Sequence, residues 1–287
     1  MLKRNNQYYK IFLFILLLSI VYFIIKSYYM KIELNYMRIE QTAELIYRQQ
    51  LTRIEGQIEV EEFKNIHINY PCLYGTIPVG DKSTQSIKDG HKYLCGVNKI
   101  KGSPIIYSYG SSQNQIFELS LLSLRPDSKI YIFDVDESLL PPHSVRDSRI
   151  NYIATALGGY HIKSGNAKTL QEQMILHGHN YIDILKMDIE ASEYDFIKYE
   201  SHLLDRIGQL SVELHINNEV RDWYPPLHST LVTKFVQQVE SGGLRLFYKE
   251  INRLVQDCCS EFSFIQQNWF QFEKNKSLFK RLSPIQY

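Results

Sequence analysis

The chain has 287 residues, of which 44% are hydrophobic, and its formal net charge at pH 7 is +1. A chain of this length and apolar content can build a buried core in one or two domains. The nearly balanced charge offers no argument for a nucleic-acid partner, which would call for a basic surface. Composition therefore predicts a globular protein that does not bind nucleic acid.

Residues 11–25 form an uncharged, almost wholly apolar stretch between Lys10 and Lys26. As a helix this stretch would measure about 22 Å, less than the roughly 30 Å of a bilayer core, but flanking lysines and tyrosines can extend it. A cleaved signal peptide is the alternative, although no Ala-x-Ala-like site follows. We expect an uncleaved signal anchor after a cytoplasmic tail of residues 1–10. The protein would then be a single-pass type II membrane protein, with its domain in the lumen of the endoplasmic reticulum or Golgi.

Residues 26–69 are predicted to form a helical stem. Ile32, Ile39 and Ile46 recur at intervals of seven, a spacing that would allow two stems to associate in a homodimer. The register breaks beyond Ile46, so a single solvated helix fits the pattern equally well.

Four cysteines follow the stem, at Cys72, Cys95, Cys258 and Cys259. An even count fits disulfides in an oxidising compartment. A bond between Cys72 and Cys95 would close a modest loop ahead of the core, but the sequence leaves the pairing open. The adjacent Cys258 and Cys259 are not expected to pair with each other, because such a bond is strained.

Residues 70–287 are expected to form one domain. Residues 70–102 are rich in glycine and proline and are predicted to be mostly loop. Strands and helices then alternate, which predicts an α/β fold with a doubly wound, mostly parallel seven-stranded sheet. The predicted strands are residues 104–109, 129–133, 150–157, 182–189 and 209–216, then 244–248 and 261–266 as a closing antiparallel edge, with helices at 115–124, 170–176 and 229–240 between them.

The turn after the first strand reads Tyr109-Gly110-Ser111-Ser112. Gly110 permits a close backbone approach to a ligand, although a single glycine does not make the G-x-G-x-x-G pattern of dinucleotide sites. Asp134 ends the second strand, where a carboxylate can accept hydrogen bonds from two ribose hydroxyls. Together the turn and Asp134 predict a site for an adenosine-containing cofactor.

The buried fourth strand ends in Asp188 and Glu190, and the fifth ends in Glu213 and His215. The carboxyl ends of neighbouring parallel strands meet at one edge of a sheet, so these four side chains are expected to converge. They could bind a hard divalent cation that lowers the pKa of a hydroxyl acceptor. Alternatively, Asp188 and Glu190 bind cofactor and substrate by hydrogen bonds, and His215 is a neutral base.

Two further features of this region have simpler explanations. The acidic stretch could merely cap the next helix, with Ser192 as its N-cap residue. His177 and His179, in the loop before the fourth strand, are expected to be solvated surface residues.

Three segments, residues 105–110, 132–134 and 185–193, resemble the FkbM-type methyltransferases. Residues 89–95 and 213–215 are similar to the membrane-anchored methyltransferase-like proteins of animals in particular. The resemblance covers roughly residues 72–269. It implies the class I (Rossmann-like) methyltransferase fold, which binds S-adenosyl-L-methionine, behind the transmembrane helix and stem. Ala191 departs from the pattern, since FkbM-type sequences usually have glycine there.

The resemblance also implies roles for individual residues. Gly110 would lie at the methionine end of the cofactor and Asp134 at its ribose. Tyr109, Ser111 and Asp188 are predicted to bind the cofactor together with them. FkbM-type enzymes methylate hydroxyl oxygens, commonly those of sugars, so we expect O-methylation of a small-molecule or glycan acceptor in the secretory pathway.

Two other functions remain open from the sequence. The segment Asp134-Val-Asp136 behind a type II anchor is also typical of glycosyltransferases that hold a sugar diphosphate through a divalent metal. A methyltransferase-like domain could also be a non-catalytic interaction module, which need not bind the cofactor.

Overall fold

The computed structural model describes residues 2–54, 66, 70–80, 91–158, 166–215, 229–251 and 259–279. In chain order the elements are α1 (Leu2–Ile54), β1 (Thr76–Val79), β2 (Lys92–Cys95), β3 (Ile105–Tyr109), α2 (Ile116–Leu124), β4 (Lys129–Asp134), β5 (Ile150–Ala154), β6 (Ala156–Leu157), β7 (Ala167–Lys168), α3 (Leu170–Leu176), β8 (Ile182–Met187), α4 (Glu193–Glu200), β9 (Ile207–His215), α5 (Ser229–Ser241), β10 (Leu244–Ile251), β11 (Cys259–Gln266) and α6 (Trp269–Phe279).

The main sheet has seven strands in the order β10-β11-β9-β8-β3-β4-β5. Strands β3, β4, β5, β8 and β9 run parallel, and β11 is antiparallel to both β9 and β10. The predicted doubly wound sheet and its antiparallel edge are therefore confirmed. The strand order reverses between β3 and β8, and open α/β sheets bind ligands at the carboxyl ends of strands beside such a reversal.

Local sequence explains the position of the central strand and of the last helix before the antiparallel edge. All six residues of β8 are buried, as expected for a parallel strand covered on both faces. Helix α5 ends before Gly242 and Gly243, and Gly243 has a φ of +94°, the left-handed conformation in which helices commonly terminate. Both elements were predicted.

The segment of residues 70–102 is more ordered than its composition suggests. Strands β1 and β2 pair in antiparallel fashion, and a disulfide joins Cys72 to Cys95, the last residue of β2. This is the pairing that the sequence left open. Cys259 is disulfide-bonded as well, and Cys258 lies outside the described residues.

Two other elements differ from the prediction. The strand expected at residues 150–157 is divided, because β5 ends at Ala154 and β6 leaves the main sheet to pair with β7. Helix α6 was not predicted. It packs beneath the sheet, where Phe272 lies close to Gly208 at the start of β9.

Helix α1 runs without a break from the apolar stretch into the predicted stem. The helix is long and apolar enough to cross a membrane, by length and composition alone, and both membrane anchors and signal sequences meet this criterion. The stem packs on the domain through a face that we call the stem seam, formed by Glu40, Ala43, Glu44 and Tyr47. The side chains of Ile39 and Ile46 lie outside this seam and are exposed.

Candidate active site

The turn after β3 depends on glycine at one position. Gly110 has a φ of +75°, and a Cβ added there would lie 1.7 Å from the carbonyl oxygen of Asp188. No side chain can occupy that space, so the turn can lie against the end of β8 only with glycine at residue 110. The next residues continue the unusual backbone, since Ser112 and Gln113 also have positive φ values.

Asp134, the last residue of β4, holds this turn in place. Its Oδ2 accepts hydrogen bonds from the backbone N–H groups of Ser111 (2.8 Å) and Ser112 (3.0 Å), and from the Ser111 hydroxyl (3.2 Å). Its Oδ1 accepts one from the backbone of Val135 at 2.9 Å. The turn and the strand end that the sequence predicted as a pair are therefore directly bonded.

The two carboxylates of the Asp134-Val-Asp136 segment engage different parts of the chain. Asp136 is exposed, and its Oδ1 accepts a 2.8 Å hydrogen bond from the backbone N–H of Ser138 at the start of a short helical turn. Asp134 instead faces the β3 turn. This arrangement differs from a pair of carboxylates converging on one metal ion.

A cavity of about 550 Å³ opens where β3, β4 and β8 end, a volume within the range of small-molecule sites. All five residues predicted to bind the cofactor line it, namely Tyr109, Gly110, Ser111, Asp134 and Asp188. The lining also includes residues that the sequence did not single out as cofactor-binding, among them Glu118, Thr155, Leu157 and Lys186.

Lys186 ties two walls of the cavity together. Its Nζ donates hydrogen bonds to the carbonyl oxygens of Gly110 and of Tyr109 (3.4 Å), and it lies 3.9 Å from Asp188 Oδ2. The ammonium group thus joins β8 to the glycine turn beside the acidic end of the strand.

The predicted acidic residues converge at the rim of the cavity. His215 Nε2 lies 3.6 Å from Glu190 Oε2, and His215 Nδ1 lies 3.4 Å from Oε1 of Glu193. One ligand atom each from Asp188, Glu190 and His215 lie within 4.8 Å of one another. Glu190 and Ala191 both have positive φ, so the alanine adopts the conformation that glycine would favour at this turn.

The pKa values of two residues in this cluster, His215 and Asp188, shift in opposite directions. Burial lowers the pKa of His215, but Glu193, Asp188 and Glu213 outweigh that effect and raise the pKa to about 10. Burial raises the pKa of Asp188, but Lys92, Lys186 and His215 outweigh that effect and lower it to about 2. At neutral pH the imidazole is therefore protonated and the Asp188 carboxylate is ionised, which differs from the neutral base considered for His215.

Lys92 lies among the residues of the candidate site but was not predicted from the sequence. It is 0% exposed, and its Nζ lies 3.6 Å from Asp188 Oδ2, 3.8 Å from Glu213 Oε2 and closer still to Glu261 Oε1. Burial lowers the pKa of Lys92, but the three carboxylates outweigh this and raise it. The signal available was its place in residues 89–95, one of the segments that carry the resemblance; Asp89 and Gly90 lie outside the described residues.

The donors predicted for a metal ion are thus only partly suitable. Asp188, Glu190 and His215 are close enough to share an ion. However, Lys92 stands beside Asp188 and Glu213, and His215 is paired with Glu193. Cys259, near Glu213 and His215, is disulfide-bonded and offers no thiolate.

A family model described as a methyltransferase domain, Methyltransf_22, matches residues 62–266. The chain belongs to this methyltransferase family. It is an S-adenosylmethionine-dependent methyltransferase with the class I fold that the sequence predicted, which argues against the glycosyltransferase alternative. No curated protein sequence matches this methyltransferase significantly.

Solved structures similar to this methyltransferase share little sequence with it. The fibrillarin pre-rRNA processing protein of Methanococcus jannaschii is 10% identical over 67% of this chain and 88% of its own, with a TM-score of 0.41. TrmK of M. capricolum, solved with S-adenosyl-homocysteine, is 11% identical over 59% and 65%, with a TM-score of 0.38. Magnesium protoporphyrin IX methyltransferase of Synechocystis PCC 6803, solved with bound SAM, is 8% identical over 59% and 72%, with a TM-score of 0.39.

Proposed function

We propose that this methyltransferase transfers the methyl group of S-adenosylmethionine to a hydroxyl oxygen of a small-molecule or glycan acceptor. One observation carries the proposal: the cavity formed by the Gly110 turn and Asp134 opens directly beside Asp188 and Glu190. A donor site next to acidic groups on one sheet edge provides the two things that O-methylation needs, a bound methyl donor and a proton acceptor.

Five residues would bind the cofactor, namely Tyr109, Gly110, Ser111, Asp134 and Asp188. The backbone of the Gly110 turn would lie at the methionine end. Asp134 Oδ1 accepts one backbone hydrogen bond and has capacity for a ribose hydroxyl, because a carboxylate oxygen can accept more than one. The ionised Asp188 would face the positive charge of the sulfonium.

For the acceptor, we assign catalysis to Asp188, Glu190 and His215. Side-chain exposure is 44% for Glu190 but 5% for His215, so Glu190 is the group that an acceptor can reach. As the acceptor oxygen bonds to the methyl carbon, the carbon–sulfur electron pair returns to sulfur and the hydroxyl proton passes to Glu190. His215 would orient the Glu190 carboxylate from 3.6 Å.

A divalent cation is the second arrangement to be tested at this site. The close approach of Asp188, Glu190 and His215 supports it, whereas the ammonium of Lys92 beside Asp188 and Glu213 opposes it. Such an ion would lower the pKa of the acceptor hydroxyl.

The proposal also covers the membrane topology of the chain, the class of its acceptor and its oligomeric state. Residues 1–10 would be cytoplasmic, 11–25 the anchor, 26–69 the stem and 70–287 the catalytic domain, in a type II protein of the endoplasmic reticulum or Golgi. The resemblance to the FkbM-type enzymes supports a sugar hydroxyl as acceptor, and the resemblance to the membrane-anchored animal group supports the anchor. The exposed Ile39 and Ile46 support a homodimer through the stem.

Calorimetry with S-adenosylhomocysteine on the full-length protein in detergent micelles tests the cofactor assignment. We expect saturable binding and, at about 100 times the Kd, a stabilisation of about 2.7 kcal/mol. Asp134→Ala should weaken binding. UDP-sugar with Mn²⁺ serves as the comparison ligand. A protein that ignores S-adenosylhomocysteine at millimolar concentration would contradict the proposal. Transfer of a labelled methyl group to a panel of sugars and other hydroxyl compounds then identifies the acceptor.

A further inference from the structure

The buried ammonium of Lys92 lies inside the acidic rim of the candidate active site. Its three carboxylate neighbours come from three different strands or strand ends: Asp188 follows β8, Glu213 lies in β9 and Glu261 lies in β11. Two of the three, Asp188 and Glu213, are residues that the sequence predicted as metal ligands. A cation is therefore already present where the carboxylates of this edge converge.

The strand that carries Lys92 is firmly held. Cys95, at the end of β2, exchanges two hydrogen bonds with the buried side chain of Gln209 in β9, from Cys95 N–H to Oε1 (2.8 Å) and from Nε2 to the Cys95 carbonyl (2.6 Å). The same cysteine is tied to Cys72 by the disulfide. Because both attachments lie three residues from Lys92, the position of the ammonium is set by the fold rather than by a mobile loop.

We propose that Lys92 is the resident cation of this acidic edge and takes the place of a divalent metal at Asp188 and Glu213. It is a positioning residue: it holds the Asp188 carboxylate in place at the wall of the cofactor cavity. The catalytic consequence rests on the proposed methyltransferase function, in which Asp188 faces the cofactor. The metal-excluding role of the ammonium does not depend on that function.

A metal ion on the same carboxylates would be opposed by charge. Oxygen–metal distances for Mg²⁺ and Ca²⁺ are about 2.0–2.6 Å, so an ion on Asp188 Oδ2, which is 3.6 Å from Nζ, would lie within about 6 Å of the ammonium. Lys186 adds a second ammonium 3.9 Å from the same oxygen. In a buried site with low effective dielectric, two such charges strongly disfavour a third cation.

The first test is a Mn²⁺ titration of the full-length protein in detergent micelles without cofactor, followed by electron paramagnetic resonance. Wild type should leave Mn²⁺ unbound at this edge. Lys92→Met keeps the length of the side chain but removes its charge, so the ammonium shared by the three carboxylates is lost. We expect it to bind Mn²⁺ at least about tenfold more tightly than wild type, because a repulsive charge has been removed. Lys92→Arg, which keeps the charge, should behave as wild type.

A second measurement separates positioning from general destabilisation. Lys276 is also a buried lysine, 2.5 Å from Asp183 and 3.2 Å from Glu273, but none of these three residues lines the cofactor cavity. We expect Lys92→Met to weaken S-adenosylhomocysteine binding and Lys276→Met to leave it unchanged.

Three outcomes would overturn the proposal. One is Mn²⁺ binding by wild type that Asp188→Asn abolishes. Another is a folded Lys92→Met protein that binds no Mn²⁺. If Lys92→Met does not fold, the double variant Lys92→Met/Glu261→Gln, which removes one charge of each sign, should recover stability. Failure of this double variant to recover stability would be the third contradicting outcome. Loss of S-adenosylhomocysteine binding in every protein, wild type included, would instead contradict the methyltransferase proposal and leave the Mn²⁺ result intact.

Discussion

At the scale of single residues, Gly110 determines whether the wall of the cofactor cavity can form. A Cβ at this position would lie 1.7 Å from the carbonyl oxygen of Asp188, and the residue has a φ of +75°. We expect Gly110→Ala to weaken S-adenosylhomocysteine binding at least about tenfold, the loss that 1.4 kcal/mol of strain or displacement produces. Calorimetry on the full-length variant measures this.

Gly102 provides a matched control for backbone strain. It has a φ of +70°, but an added Cβ would meet nothing within 4 Å. Gly102→Ala should cost about 1–2 kcal/mol of stability, the usual penalty of the left-handed conformation, and leave cofactor affinity unchanged. If both variants lost the same affinity for S-adenosylhomocysteine, the loss in Gly110→Ala would come from backbone strain alone. The cavity wall would then tolerate a methyl group at Gly110.

His179 makes stability depend on pH. The expectation that it is a solvated surface residue was wrong: it is 9% exposed, and its Nδ1 lies 2.8 Å from the Tyr107 hydroxyl. Burial, with the nearby charges of His177 and Lys129, lowers its pKa to about 4. The folded state therefore favours the neutral imidazole, and the unfolded chain binds a proton more readily between pH 4 and 6.5.

We therefore expect the contribution of His179 to stability to be complete above about pH 6.5 and to be lost as the pH falls towards 4. The difference amounts to about 3 kcal/mol, since each pKa unit corresponds to about 1.4 kcal/mol. Denaturant unfolding at several pH values measures it, and His179→Gln should flatten the profile. His143→Gln is the control, because that side chain is 81% exposed. An unchanged profile in His179→Gln would refute the assignment.

At the scale of elements, a buried arginine is one of the residues through which the stem seam attaches α1 to the domain. Arg245 donates to both oxygens of Glu44, from Nε and Nη2, at 2.8 Å each, and its side chain is 7% exposed. We expect a double-mutant cycle between Glu44→Gln and Arg245→Met to give a coupling of about 2 kcal/mol, because the bonds are charged, bidentate and shielded from water. Denaturant unfolding of the four proteins measures the coupling.

The same carboxylate offers an internal comparison. Arg48 also bonds Glu44, at 2.7 Å, but its side chain is 65% exposed. The cycle with Arg48→Met should yield about 0.5 kcal/mol or less, as is typical of exposed pairs one helical turn apart. Similar couplings for both arginines would mean that the stem is not held on the domain through Arg245.

The elements that could be predicted are those whose pattern is local. Strand β8 is an uninterrupted apolar run because both its faces are covered, and α5 ends at a pair of glycines. Strand β2 carries no such signal, since it has only four residues, begins with a lysine and depends on partners far along the chain. Helix α6 is likewise mostly polar and is defined by its contacts under the sheet.

The candidate site likewise combines residues whose position could be predicted from the sequence with one whose position could not. Gly110, Asp134 and Asp188 end parallel strands, so the topology alone brings them together. Lys92 could not be placed this way, because its contact with Glu261 spans 169 positions of sequence. The acidic residues alone suggested a site for a metal ion, whereas the fold places the ammonium of Lys92, from β2, among them.

At the scale of the whole molecule, the catalytic domain is fixed to the apolar helix rather than tethered to it. Helix α1 is continuous from Leu2 to Ile54, and its seam residues begin at Glu40, a short distance beyond the apolar stretch. A rigid helix docked in this way would hold the domain close to the surface of the membrane that the apolar stretch is proposed to cross.

The disulfide between Cys72 and Cys95 connects this architecture to the compartment of the domain. The two residues are 23 positions apart, and closing a loop of that size stabilises a fold by about 3 kcal/mol. Disulfides persist in the secretory lumen and are rare in the cytosol. When isolated membrane vesicles are dissolved in denaturing detergent, which exposes the buried Cys95, we expect a maleimide to label Cys72 and Cys95 only after reduction. The Cys72→Ser/Cys95→Ser variant, as control, should lose the part of this labelling that comes from Cys72 and Cys95, since Cys259 is disulfide-bonded as well, and it should unfold about 3 kcal/mol more easily. Full labelling without reductant would place the domain in the cytosol and refute the type II orientation.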